Sequence, residues 1–257
     1  QALRAASRDY DLDTQPAALR ALRRHHAGTD HDAVVHLEDP SEAQLHRQRA
    51  HYFANVSMID AQVGAIVEAL RARGVLDETM IIFTSDHGDC LNDHGHIQKW
   101  TMYEPSVRVP AIVWQPGAVR HQVIDGLTSL FDFGPTILEA AGVTPPAFME
   151  AESLMPILIG ETGTARERVF AEHTEDMILE ETQFMTMVRE GDYKLVHFID
   201  SDEGQLFDLA ADPGERVNLW DSAGHAATRA RLERAILEWQ VESTKRTQGF
   251  KRALAGV

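Results

Sequence analysis

Residues 79–110, TMIIFTSDHGDCLNDHGHIQKWTMYEPSVRVP, constrain the fold more than any other stretch of the 257-residue chain. They open on an apolar run, Met80-Ile81-Ile82-Phe83, whose length and β-branched content suit a strand buried on both faces. The run stops at Ser85-Asp86-His87-Gly88, so a carboxylate and an imidazole stand side by side at the strand's carboxyl end. Ligands bind at that edge in open α/β sheets. Asp86 and His87 are oxygen and nitrogen donors suited to a divalent metal, although an Asp here also caps turns. Lys99 follows thirteen residues after Asp86, a mobile cation available to an anionic substrate. His94 and His96 straddle a glycine between them. Each can orient a substrate or protonate a leaving group, and each can equally hold the loop by a hydrogen bond. Asp89 and Asp93 read as turn residues, and Cys90 as an inert side chain of the loop.

The flanking sequence says how this segment is held. Ser41-Glu42-Ala43-Gln44 is a capping-box signature, and the helix it opens runs to Arg73 with Gly74 just past its end. Leu45, Tyr52, Val56, Ile59, Val63, Ile66 and Leu70 recur at helical spacing and form a face expected to pack on the sheet. A second strand is expected over residues 110–114, and a short helix from about Asp132 to Gly142. From about Arg166 the pattern changes to short strands with tight turns, over residues 169–172, 184–189, 193–198 and 205–209, then a helix over residues 226–244. The first forty residues read as irregular, with a histidine-rich stretch (His25, His26, His31, His36) that is either solvated or a metal cluster. Two domains are therefore expected, residues 1–160 as part of a catalytic α/β domain and residues 161–257 as a small α+β subdomain.

The strand-end motif resembles that of the sulfatase family of the alkaline phosphatase superfamily, where a TSD(H/N)G strand end supplies metal ligands. Further segments follow in the family's order. They are the helix of residues 55–74, the Pro135-Thr136-Ile137-Leu138 helix, Ser153-Leu154-Met155-Pro156-Ile157-Leu158, and the closing Tyr193-Lys194-Leu195, Leu206-Phe207-Asp208-Leu209 and Asp212-Pro213-Gly214-Glu215. The resemblance implies a mainly parallel sheet flanked by helices, followed by a small antiparallel sheet with one helix. It also implies one divalent metal ion on Asp86 and His87, calcium, or manganese or zinc given the imidazole, with Lys99 on the sulfate. The chemistry implied is hydrolysis of a sulfate ester, or of a phosphonate monoester or phosphodiester.

The family nucleophile is a formylglycine made from Cys or Ser in a C/S-x-P/A-x-R context. Cys90, the one cysteine, is followed by Leu91-Asn92-Asp93 and does not fit it. The chain is thus expected to be the C-terminal portion of a longer enzyme, inactive alone; the other reading is a non-catalytic remnant. A net charge of −16 argues against nucleic acid as partner and leaves a small anionic ester facing local positive charge. No run of 18 apolar residues exists, so no membrane contact is expected. The lone cysteine points to a reducing, cytoplasmic compartment, with a periplasmic one left open. Oligomeric state has no signal in the sequence.

Overall fold

Ser41 starts the longest helix by the device its sequence announces. Its side chain accepts a hydrogen bond from the Gln44 N–H, and the Gln44 side chain accepts one from the Ser41 N–H at 2.9 Å. The structure, a computed structural model, describes residues 12–29, 39–118, 122–161, 166–174, 176, 178, 179 and 181–254. Two compact units are formed. One comprises the described residues up to Pro116 with 174–183 and 214–217; the other comprises 117–173, 184–213 and 218 onward.

In the first unit, α1 (Ala17–Thr29) corrects the expectation of an irregular N-terminal segment. Its sequence, AALRALRRHHAGT, is rich in strong helix formers, and it buries Ala18, Leu19 and Leu22. His25 and His26 lie on it, while His31 and His36 lie outside the described residues. Helix α2 (Glu42–Ala72) then leads through Gly74, whose φ of 71° closes the helix, to β1 (Ile81–Thr84). A loop with the short helix α3 (Glu104–Val107) returns the chain to β2 (Ala111–Trp114).

The fold class is α/β as expected, and the two strands described in this unit pair antiparallel. Strands β1 and β2 are antiparallel, with Ile81 opposite Trp114 and Thr84 opposite Ala111. Parallel neighbours need a long crossover, usually a helix. Residues 85–110 instead form a loop that folds straight back. Burial differs too: β1 is half-buried with Thr84 exposed, and Ile112 and Trp114 of β2 are exposed. The apolar face of α2 is not covered either, since Tyr52, Val56, Ile59 and Ile66 are exposed among the described residues. Only its first turns are anchored, through buried Leu45, Gln48 and Arg49. By length and composition α2 is the one described helix apolar enough to cross a membrane. Asp60 and Glu68 within that stretch would each cost about 2.5–3.5 kcal/mol near a bilayer centre, so we read it as a packing face.

The second unit contains α4 (Phe133–Ala140), α5 (Met155–Leu158) and a four-stranded sheet. Asp132, 1% exposed, lies just before α4 and accepts from the Ser129 and Glu152 N–H groups and from the Arg166 guanidinium. The sheet runs β3 (Arg168–Thr174), β4 (Phe184–Glu190), β5 (Tyr193–Phe198) and β6 (Gly204–Asp208) in that order, with β4–β5 and β5–β6 antiparallel. Helix α6 (Ala226–Leu254) lies on β4 and β5 and extends well beyond the expected end near Thr244. Val188, Leu195, Leu206, Trp220, Leu232 and Ile236 form the core between them. Gly204 is required there, because a Cβ would fall 2.3 Å from the Trp220 ring.

Candidate active site

At the carboxyl end of β1 the backbone turns sharply and fixes two side chains. Thr84 Oγ1 donates to the Pro110 carbonyl at 2.9 Å, and Ser85 Oγ donates to the His87 carbonyl at 2.7 Å. Asp86 Oδ1 accepts from the His87 backbone N–H at 2.9 Å, and this bond, followed by the imidazole itself, holds the Asp86 carboxyl below its usual range. His87 Nδ1 donates to the Gly88 carbonyl at 2.8 Å. A carbonyl can only accept, so Nδ1 is the donor in this bond, and Nε2 is the ring nitrogen left for another partner. That Nε2 lies 3.5 Å from Asp86 Oδ2. Metal-binding histidines are oriented by this kind of bond. Gly88 has no alternative: its N–H donates to the Ser106 carbonyl at 2.7 Å, and a Cβ would come within 1.9 Å of the Pro105 oxygen.

The following loop carries Lys99 and is knotted onto α2. Asp89 Oδ1 accepts from the Leu91 and Gln98 N–H groups, so it is a turn residue as expected. The Arg49 guanidinium, buried, donates to the Leu91 carbonyl at 3.1 Å and to Asp93 at 2.8 Å. Asn92 donates to Gln48 at 2.6 Å. Leu91, Asn92, His94 and Gln98 all hold positive φ, between 48° and 65°. Backbone strain of this kind persists only where the surroundings over-determine it, and it concentrates at functional sites. Lys99 is exposed, with its ammonium 5.7 Å from the Trp100 ring centre.

Asp86, His87 and Lys99 line one cavity of about 540 Å³, together with Ser85, Gly88, Asp89, Leu91 and Gln98 and with Gln48, His51, Tyr52 and Asn55 of α2. His94 and His96 are not among its walls. Both are buried, His94 stacked on Tyr103 with ring centres 3.8 Å apart. His96 Nε2 donates to Gln15 Oε1 at 3.0 Å, and Gln15 Nε2 donates to the His94 carbonyl at 3.0 Å. Burial, and then His26, His94 and Arg23, push the His96 imidazole down to about 3. The loop-stabilising alternative, rather than proton donation, is what this geometry favours for both histidines. His26 sits buried with its ring centre 5.2 Å from that of Trp100. Cys90 is fully buried beside Thr101 Oγ1, and burial pushes its thiol up to about 12, which suits an inert side chain.

The donor chemistry of Asp86 and His87 suits a divalent cation. They form part of a shell only: among the described residues no group of three or more His, Cys, Asp or Glu is placed to hold a metal. Sequence reasoning missed Gln15, Gln48 and Arg49, polar residues whose burial has no local signature. The spacing of Gln48, Tyr52 and Asn55 along α2 was visible, but nothing local said that this stripe faces the site.

Comparison with known proteins identifies the family. A family model described as sulfatase matches residues 5–143, and one described as N-sulphoglucosamine sulphohydrolase, C-terminal, matches residues 92–242. An N-acetylglucosamine-6-O-sulfatase from Bacteroides thetaiotaomicron is 34% identical over 194 residues, covering 74% of this chain and 35% of that protein. Mouse arylsulfatase K is 34% identical over 187 residues, covering 70% of this chain and 34% of that one. A solved phosphonate monoester hydrolase from Silicibacter pomeroyi superposes with a TM-score of 0.74 at 28% identity, over 80% of this chain and 43% of that one. The chain spans about a third of the length of the curated relatives it matches. With two family models each matching more than half of the chain, it belongs to the sulfatase family of the alkaline phosphatase superfamily.

Proposed function

We propose that the protein takes part in the metal-dependent hydrolysis of sulfate esters, with Asp86 and His87 as metal ligands and Lys99 as the cation facing the ester's anionic group. The observation that carries this reading is that all three line one cavity, with His87 Nδ1 held by the Gly88 carbonyl so that Nε2 is the ring nitrogen left for a ligand. A bound divalent ion would supply charge neutralisation and activation of the attacking oxygen. The chain's own residues position the anion. The Asp86 carboxylate stays ionised over the working range, and the Lys99 ammonium, carried on the strained loop, stabilises negative charge on the transferred group. No residue here stands in a C/S-x-P/A-x-R context, so a formylglycine nucleophile belongs to sequence beyond these 257 residues.

Hydrolysis of a phosphonate monoester or phosphodiester is the second reading. His87 in place of the asparagine alternative, and the likeness to a phosphonate monoester hydrolase, favour it. Sulfate and phosphoryl esters share tetrahedral geometry, so one site can serve both.

The 257-residue protein should not turn over p-nitrophenyl sulfate or bis-p-nitrophenyl phosphate, yet should bind Mn²⁺ weakly, with the His87 ring resonances broadened in NMR and the broadening lost in Asp86→Ala. In a longer polypeptide with the nucleophile, Lys99→Ala should lower kcat by about 10²–10³-fold. Turnover by the 257-residue chain that survives Lys99→Ala would overturn the assignment.

A further inference from the structure

We infer that Ser106 is a positioning residue that acts through Lys99: it ties the arm carrying the ammonium to the arm carrying His87, and so fixes where an anion is held between them. The inference rests on the reading of Lys99 as the cation facing the ester's anionic group.

Lys99 is exposed, yet it stands on tightly held backbone. Before it, Gln98 holds a φ of 56°, donates its N–H to Asp89 Oδ1 at 2.9 Å and accepts at its carbonyl from the Cys90 N–H at 2.9 Å. After it, the Trp100 indole N–H donates to the Asp176 carboxylate at 2.8 Å. Between these ties the Lys99 carbonyl accepts from Ser106 Oγ at 3.1 Å and from the Thr101 N–H. A lysine stem has many rotamers, so holding its ammonium in one place costs entropy, and a loose backbone would add to that cost.

Ser106, 4% exposed, holds the other arm with its own backbone. Its carbonyl accepts from the Gly88 N–H at 2.7 Å, and the Gly88 carbonyl in turn accepts from His87 Nδ1 at 2.8 Å. One residue therefore joins both arms by different groups, the hydroxyl toward Lys99 and the carbonyl toward His87. A serine in a helix ordinarily returns its hydroxyl to the carbonyl three or four residues before it. Ser106, in α3, reaches seven residues back to Lys99 instead. Helix α3 is itself braced from a distant part of the sequence: the Glu104 N–H donates to the Glu215 carboxylate at 2.6 Å. Glu215 is 3% exposed and holds a φ of 52°, a backbone strain that persists only where the surroundings over-determine it.

The test is NMR on the 257-residue protein, with inorganic sulfate and Mn²⁺ as separate probes. Sulfate affinity is read from the backbone amides of residues 98–101, and metal binding from broadening of the His87 ring. Ser106→Ala should weaken sulfate by about fivefold, the worth of one hydrogen bond, while the Mn²⁺ dependence of the broadening stays as in the wild type. This variant strands no backbone group, because the Lys99 carbonyl keeps the Thr101 N–H. Ser106→Thr, which restores the hydroxyl, should recover the affinity. Lys99→Ala should weaken sulfate by itself, and adding Ser106→Ala to it should cost nothing further, since the serine acts through the lysine. A further loss in the double variant, equal losses of sulfate and Mn²⁺ binding, or wild-type sulfate affinity in Ser106→Ala would each overturn the inference. Sulfate binding unchanged in Lys99→Ala would sink the reading of Lys99 itself, and the inference with it.

Discussion

His96 shows how one buried side chain couples the loop to solution conditions. In the unfolded chain its imidazole takes a proton near 6.5, but in the folded protein only near 3. Between those values the unfolded state binds more protons, so stability is fully present above about 6.5 and is lost as pH falls toward 3. Urea midpoints measured at pH 7.5 and pH 5 should therefore drop in acid, and His96→Gln, which can keep a bond to Gln15, should flatten the drop. An unchanged slope in that variant would remove His96 as the cause. Gly88 makes a steric point instead. An added methyl would meet the Pro105 carbonyl oxygen, a backbone atom that cannot swing aside. Gly88→Ala should cost at least about 3 kcal/mol by denaturant unfolding, or else open the turn that sets His87.

At the scale of elements, α2 is held at its start and by its first turns. The reciprocal bonds of Ser41 and Gln44 satisfy two backbone donors that the helix would otherwise leave open. Ser41→Ala should destabilise the helix start by about 1 kcal/mol, seen as faster amide exchange at residues 43–45; no change there would mean that Leu45 and Arg49 alone fix the helix start. The strands behave differently. Among the described residues β1 has one hydrogen-bonded neighbour, so its half-burial follows from sheet position and not from its apolar composition. In the second unit β5 is paired on both edges and lies under α6, and its apolar side chains Leu195, Val196 and Phe198 are fully buried.

For the whole molecule, burial predicts a wide spread of local stability. Amides of β5 should exchange slowest, and those in the middle of α2, where the side chains are exposed, fastest among the regular elements. Hydrogen-exchange mass spectrometry on peptides from residues 50–66 and 193–198 reads this directly. Equal protection of the two would show that α2 is covered in solution. The net charge of −16 is spread over a surface that still places Lys99 beside two carboxylates, so the anion binding proposed here depends on a local arrangement and should weaken with added salt.

Much of the local architecture was legible from residues alone. The capping box at Ser41, Gly74 as the residue past the helix end, the end of β1 before Ser85 and the span of β5 all rest on interactions within a turn or two, which neighbouring residues encode. So did the meeting of Asp86 with His87, since adjacent residues at a strand end cannot be far apart. Lys99 was a matter of spacing, and a shared cavity required the loop to fold back. Whether β1 and β2 run parallel was not local: it depends on the path of residues 85–110 and on long-range pairing. The burial of His94 and His96 was equally hidden, because it comes from Gln15, some eighty residues away, and from Tyr103 stacking on the loop. Local chemistry determined which residues can act; tertiary packing decided which of them reach the cavity and which were spent on holding it in shape.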